Sequence, residues 1–345
     1  MTQRRLIASR VVAFVCLVVT ASTPAARSAG VEEISGAGST FVFPIMSKWA
    51  EAYKAQTSTA INYQSVGSSA GVDQIMARRV DFGATDKPLF PLQVNAGDLV
   101  QFPVVVGGIV PVVNLSGIGP GELVLDGATL ADIYAGRVTA WDNAAIKKLN
   151  PGKQLPSAPI TVVHRSDGSG TTFNFTEYLS AVDADWQTKV GADLVIKWPT
   201  GVGAKGNEGV ATMTAQTPGA IGYVEYSYAL QSKLTFTKMI NHDGVIVEPS
   251  GKNFQAAVAN ADWKSSFSYR LIPVNQPGID SWPITAASFV LIYAHQKNPE
   301  TGKEVLKFFD WAYHDGQKLA EDLQYVPLPD NLVAKIEATW ADKVK

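Results

Sequence analysis

The chain has 345 residues, 29 basic and 31 acidic side chains, and one cysteine. That length is more than a single hydrophobic core serves, so two domains are expected. The charge balance argues against nucleic acid and anionic membrane as partners, and a lone cysteine excludes an internal disulfide.

The first segment reads as a secretory signal over residues 1–28. Arg4, Arg5 and Arg10 precede an uninterrupted apolar stretch, Val11 to Thr20, and then a small-residue tail through Ala26 and Ser28. That order is the layout of an export signal, and a stretch this short does not span a bilayer, which takes about 20 residues. Cys16 follows Val15, whereas a lipid anchor wants a small residue there, so the mature chain is expected to be soluble, unlipidated and to start near Ala29. Cleavage removes four arginines and leaves 25 basic against 31 acidic residues. Any anion must then be drawn by local donors, since the overall field repels it.

Beyond the signal, strand-like and helix-like runs alternate. In chain order they are a helix over Phe41–Ala55, a strand over Ile61–Val66, a helix over Gly71–Arg79 and a strand over Val80–Ala84. Strands follow at Gln101–Asn114 and Ile160–His164, then a helix at Thr171–Leu179, strands at Gly219–Tyr226 and Ile284–His295, and a helix at Lys303–Leu323. In the first helix Ile45, Trp49 and Tyr53 recur at a spacing of four, which makes one apolar face. Alternation of this kind predicts an α/β fold with largely parallel sheets. Two unusually long apolar runs, Phe102–Asn114 and Ile284–His295, suggest that the chain crosses between domains twice. Residues 29–106 and 285–345 would form one discontinuous domain and residues 107–284 the other, with a ligand in the cleft between them.

Three Gly-Ser dipeptides each open a predicted helix: Gly38-Ser39 before Phe41, Gly67-Ser68 before Gly71, and Gly168-Ser169 before Thr171. Glycine allows close backbone approach, Ser and Thr add hydroxyl donors, and a helix N-terminus offers unpaired N–H groups to an anion. Helix capping, the commonest use of Ser and Thr at a helix start, is the better explanation of any one such turn taken alone. Two ionisable residues at the ends of strands favour a site: Arg165, whose planar fork suits an oxyanion, and Asp86. An acid beside an anion makes sense where the ligand brings its own proton.

The stretches Gly36-Ala-Gly-Ser-Thr-Phe41, Val66-Gly-Ser-Ser-Ala-Gly-Val72, Val80-Asp-Phe-Gly-Ala-Thr-Asp-Lys-Pro-Leu89, Arg165-Ser-Asp-Gly-Ser-Gly-Thr171, Gly219-Ala-Ile-Gly-Tyr-Val-Glu-Tyr226 and Leu306-Lys-Phe-Phe-Asp-Trp-Ala-Tyr313 closely resemble the substrate-binding protein of the phosphate-specific ABC transporter. The resemblance covers Ile34 to the C-terminus. It implies a periplasmic binding protein-like fold of type II, two α/β domains closing on a dehydrated phosphate. Carried over by motif, it implies ligand donors at Thr40, the Phe41 backbone, Ser68, Arg165, Ser169, Gly170 and Thr171, with Asp86 as acceptor and Asp167 steadying the arginine. His164 stands where the family often has arginine, and Ala70 where it has glycine; neither removes a donor. The implied partners are inorganic phosphate and the membrane permease subunits, with the cytoplasmic ATPase acting indirectly. The implied protein is a periplasmic monomer without catalytic residues, cofactor, metal or nucleic acid.

Other readings compete. Gly67-Ser68-Ser69-Ala70-Gly71 fits the G-x-S-x-G elbow of serine hydrolases. Gly201-Val-Gly-Ala-Lys-Gly206 fits G-x-G-x-x-G, with Glu225 placed as a ribose ligand would be, but Pro199 and Thr200 part it from the preceding strand and a loop is expected. The eight tryptophans read as core packing, and the four histidines show no metal spacing. A binding protein for another tetrahedral oxyanion such as sulfate also remains open.

Overall fold

A computed structural model of the chain describes Thr2, residues 31–261 and residues 269–345. The expected signal, its cleavage site and Cys16 lie outside the described residues, Thr2 apart.

The elements run β1 (Glu33–Gly38), α1 (Phe43–Thr57), β2 (Ala60–Ser65), α2 (Ser68–Met76), β3 (Phe82–Thr85), α3 (Pro91–Ala96) and the long β4 (Leu99–Val113). Next come β5 (Val124–Leu125), α4 (Gly127–Tyr134), α5 (Ala144–Leu149), β6 (Thr161–Arg165), α6 (Gly170–Val182), α7 (Ala184–Lys189), β7 (Val202–Ala204) and α8 (Gly206–Gln216). The chain continues with β8 (Ala220–Glu225), α9 (Tyr226–Gln231), β9 (Thr235–Phe236), β10 (Lys238–Ile240), β11 (Ile246–Val247), α10 (Gly251–Asn260), β12 (Thr285–Tyr293), α11 (Pro299–His314), α12 (Gln317–Asp322) and α13 (Asp330–Lys343).

The main sheet has the order β2-β1-β3-β12-β4-β8-β6-β7. Its two ends are parallel, as the alternating pattern predicts, with β1 beside β2 and β3, and β6 beside β7 and β8. Its middle is antiparallel, which the sequence reading did not foresee. The cause is the pair of long apolar strands, since β12 runs antiparallel to both β3 and β4, and β4 antiparallel to β8. All fifteen residues of β4 are buried, the mark of a strand covered on both faces. Its first part, Leu99–Gly108, pairs with β12 and its last part, Ile109–Val113, with β8. The sheet therefore has a β12 side and a β8 side joined through one strand. The β4–β12 register shifts beside Pro103, which has no N–H to give to the ladder. Shifts of this kind re-aim neighbouring side chains, and Ser288 at this one bonds Asp86 across the sheet.

Helix α1 buries Ile45, Trp49 and Tyr53 as their spacing requires. The helix expected over Lys303–Leu323 is broken into α11 and α12 around Gly316. A Cβ there would stand 2.6 Å from Trp49 Nε1, and the Gly316 carbonyl accepts the Trp49 indole N–H at 2.9 Å. The break thus makes room for a core tryptophan. Trp49, Trp141, Trp186, Trp282, Trp311 and Trp340 are all buried, as core packing predicts.

Candidate functional site

The ends of β1, β3, β6 and β7 deliver the next residues of the chain to one place, the crevice beyond the carboxyl ends of parallel strands. Gly38 closes β1 with φ +148, and a Cβ there would meet the Ala84 carbonyl oxygen at 2.0 Å. Only glycine lets the chain turn this closely over β3. The turn is fixed by the Ser39 N–H on Ala84 O at 2.9 Å and carries Ser39, Thr40 and Phe41 inward. All three are buried.

Capping accounts for one of the three Gly-Ser turns. Ser169 caps α6, its Oγ accepting the Thr172 N–H at 3.0 Å. Helix α1 begins after Val42 and α2 after Gly67, and neither has a side-chain cap. The freed hydroxyls serve the site. Ser39 Oγ donates to Asp86 Oδ2 at 2.6 Å and accepts the Phe41 N–H at 3.0 Å. Ser68 Oγ accepts the Gly170 N–H at 3.0 Å and lies 3.4 Å from Asp86 Oδ2. Thr40 Oγ1 accepts from Asn207. Helix α2 starts at Ser68 rather than at the expected Gly71, so both Ser68 and Ser69 lie in its first turn.

Asp86 is 1% exposed, and its carboxylate also takes the Ser288 hydroxyl. Burial pushes its pKa up to about 6, against the pull of the Ser288 and Ser39 hydroxyls and the Arg165 charge. It is therefore mostly ionised at neutral pH. An ionised carboxylate has about four acceptor positions, so it has capacity beyond its hydroxyl partners. The α6 backbone comes close: a Cβ on Gly170 would stand 2.5 Å from Asp86 Oδ2, which only glycine avoids.

Arg165 is 4% exposed and makes a two-pronged pair with Asp167, Nε to Oδ1 at 2.7 Å and Nη2 to Oδ2 at 2.6 Å. Burial works to raise the Asp167 pKa, but the guanidinium and backbone N–H groups together outweigh it and hold the carboxyl below its ordinary value. The Gly206 N–H, opening α8, adds a third bond to Asp167 Oδ1 at 3.1 Å. With Nε and Nη2 so held, the guanidinium keeps Nη1 toward Thr171 Oγ1 at 3.5 Å. His164 turns away from this cluster. It stacks on Trp198 at 4.7 Å and gives Nδ1–H to the Arg165 carbonyl at 3.0 Å, and burial lowers its pKa.

The structure brings together Thr40, Phe41, Ser68, Asp86, Arg165, Ser169, Gly170 and Thr171, with Asp167 behind the arginine. Sequence reasoning named Ser39 only as part of a Gly-Ser turn, not as a partner of Asp86, and did not single out Ser288 or Asn207. Ser39 lay inside a quoted motif, and Ser288 inside an apolar strand 202 positions from Asp86. Asn207 opens a helix after a glycine-rich turn, the same signal that located the other three, but that stretch was expected to be a loop. It is β7 followed by α8 instead. Glu225 is buried, and its carboxylate bends back onto the Ser227 N–H at 2.9 Å, away from any ribose role. As for the hydrolase elbow, Ser68 bonds Asp86 and Gly170, and Ser69, the central residue of that motif, gives its N–H to the Gly168 carbonyl at 3.1 Å; none of these partners is a histidine.

The chain matches a model described as a PBP superfamily domain over residues 23–315. It is 49% identical over 322 residues to a phosphate-binding protein PstS of Xylella fastidiosa, covering 93% of this chain and 88% of that one. It is also 49% identical over 314 residues to the phosphate-binding protein PstS of Pasteurella multocida, covering 91% of each. Among solved structures it shares its fold with an ABC-type phosphate transport receptor from Vibrio cholerae, with a TM-score of 0.56, 21% identity, and coverage of 86% of this chain and 100% of that one. With half its residues shared over nearly its whole length, the chain belongs to the PBP superfamily and, within it, to the family of the phosphate-binding protein PstS.

Proposed function

We propose that this protein binds inorganic phosphate outside the inner membrane and delivers it to an ABC transporter for import. One observation carries the reading: first turns of helices, an arginine clamped by Asp167 and the carboxyl group of Asp86 converge at one buried point. N-terminal N–H groups, hydroxyls and a guanidinium suit an oxyanion, and the carboxylate suits one that keeps a proton. The names of the relatives support the same ligand. The ligand set is Thr40, Phe41 N–H, Ser68, Asp86, Arg165, Ser169, Gly170 and Thr171. The chain is a carrier rather than an enzyme, a monomer without cofactor that works with the permease subunits in the periplasm, the ATPase acting indirectly. No helix among the described residues is long and apolar enough to cross a membrane.

The same reading divides the chain into residues 29–106 plus 285–345 and residues 107–284, although Gly107 and Gly108 still pair with β12. Its support is that β4 changes partner at Gly108/Ile109 and that contacts cross between the two sides. Ser68 bonds Gly170, Thr40 bonds Asn207, and Lys87 pairs with Asp193 at 2.7 Å on the rim. A ligand touching both sides favours the closed arrangement over an open one. Small-angle scattering is expected to show a smaller radius of gyration with phosphate than without it, and an unchanged profile counts against closure.

A further inference from the structure

Asn207 is fully buried in the first turn of α8, and its amide orientation is settled by chemistry. Its Oδ1 lies 3.0 Å from the backbone N–H of Glu225, a group that can only donate, so the atom facing it is the oxygen. The other end, Nδ2, then points its two protons at two hydroxyl oxygens. Thr40 Oγ1 is 2.7 Å away and Thr171 Oγ1 is 3.1 Å away. The Asn207 backbone N–H gives Thr40 Oγ1 a second donor at 3.2 Å, and Arg165 Nη1 gives Thr171 Oγ1 its second at 3.5 Å.

A hydroxyl has one proton and two lone pairs. Where N–H groups occupy both lone pairs, the proton is all that the hydroxyl can offer to a third group. Thr40 comes from the β12 side and Thr171 from the β8 side, so one amide fixes the polarity of a donor on each. We infer that Asn207 is a positioning residue that sets the Thr40 and Thr171 hydroxyls as donors toward the bound oxyanion and latches the two sides together around it. The inference rests on the phosphate reading and adds to it a residue outside the ligand set. Filling the core or satisfying the Glu225 N–H would require Oδ1 alone; the pair of bonds from Nδ2 is what a latch adds.

Asn207→Asp separates these roles. The substitution keeps the shape and the acceptor for Glu225, but replaces Nδ2 with an oxygen that accepts when ionised. Both threonine protons are then drawn toward position 207 and away from the ligand. The probe is inorganic phosphate, titrated at about pH 8 and about pH 5 into wild type and variant. At the higher pH the variant is expected to bind at least about 100-fold more weakly, having lost two hydrogen bonds to a charged ligand. At the lower pH the gap is expected to narrow, because a protonated carboxyl again carries a donor. Arg165, Asp167 and His164 around β6, Tyr223 and Glu225 on β8, Tyr226 and Tyr228 on α9, Glu208 on α8 and Asp86 across the site are present in both proteins. Their common contribution drops out of the ratio of affinities, and the Thr40→Val background separates loss of the hydroxyl donor from plain repulsion by the new charge, since there Asn207→Asp is expected to cost less than in wild type. A folded variant within about threefold of wild type, or a ratio that does not change with pH, overturns the inference. Should Asn207→Asp fail to fold, Asn207→Ala, Thr40→Val and their double variant decide. If Asn207 acts through Thr40, the double loses less than the product of the single losses, and a full product overturns the inference. Wild type that does not bind phosphate at all overturns the functional reading itself, and this inference with it.

Discussion

Arg165→Ala is expected to cost about 2–5 kcal/mol of phosphate binding, the range for removing one partner of a buried hydrogen-bonded charge pair. That is a loss of roughly 30-fold to several thousand-fold in affinity. Nε and Nη2 are spent on Asp167, and the Gly206 N–H holds Asp167 from behind. Nη1 is thereby kept toward Thr171, and on the proposed reading it is organised for the ligand before one arrives. Alanine removes this group and leaves Asp167 as an uncompensated negative charge beside an anion. Arg165→Lys retains a charge without the fork and is expected to fall between the two. Isothermal titration of folded variants measures both, and unaltered affinity in Arg165→Ala places the site elsewhere.

Asp86→Asn is expected to change which anion is bound more than how tightly phosphate is held. Near neutral pH phosphate keeps at least one proton and sulfate keeps none. On the proposed reading ionised Asp86 accepts a hydrogen bond from the phosphate hydroxyl but meets only lone pairs and negative charge on sulfate. A site whose buried polar group an analogue leaves unpaired discriminates by about 10⁴–10⁵. Asparagine keeps the shape, removes the charge and adds a donor that sulfate can use. The ratio of phosphate to sulfate affinity is therefore expected to fall by at least about 100-fold, with phosphate affinity itself changing by less. The pH dependence has a definite sign. Burial raises Asp86 to about 6, so it is ionised above that pH and protonated below it. Once protonated it becomes a donor, and sulfate is no longer repelled. Selectivity of the wild type is expected to fall as pH drops through about 6, while the Asp86→Asn protein stays flat. Paired titrations with both anions at about pH 8 and about pH 5 measure this. Selectivity that survives the substitution contradicts the role given to Asp86.

Local chemistry was legible wherever it is written in consecutive residues. The spacing of Ile45, Trp49 and Tyr53 placed the buried face of α1, and the Gly-Ser turns with Arg165 and Asp86 marked the residues that converge. What was not legible depends on partners distant in sequence. Gly316 breaks a helix because Trp49, 267 residues earlier, occupies the space and needs its carbonyl. Ser288 looks like one more residue of an apolar strand until the register shift beside Pro103 sets it against Asp86. The antiparallel centre of the sheet follows from how β4 and β12 meet, which composition does not encode. Asn207 was hidden for a different reason. Its glycine-rich surroundings matched a nucleotide motif that the compartment argued against, and rejecting the motif also set aside the helix start that it marked.

The central claim is that this site holds phosphate because one acceptor stands among many donors. Isothermal titration of the wild type with phosphate in a large excess of sulfate tests it most directly. Tight one-to-one phosphate binding with an affinity essentially unaffected by the sulfate is the result expected. Phosphate binding that sulfate competes away, or no binding at all, contradicts the account.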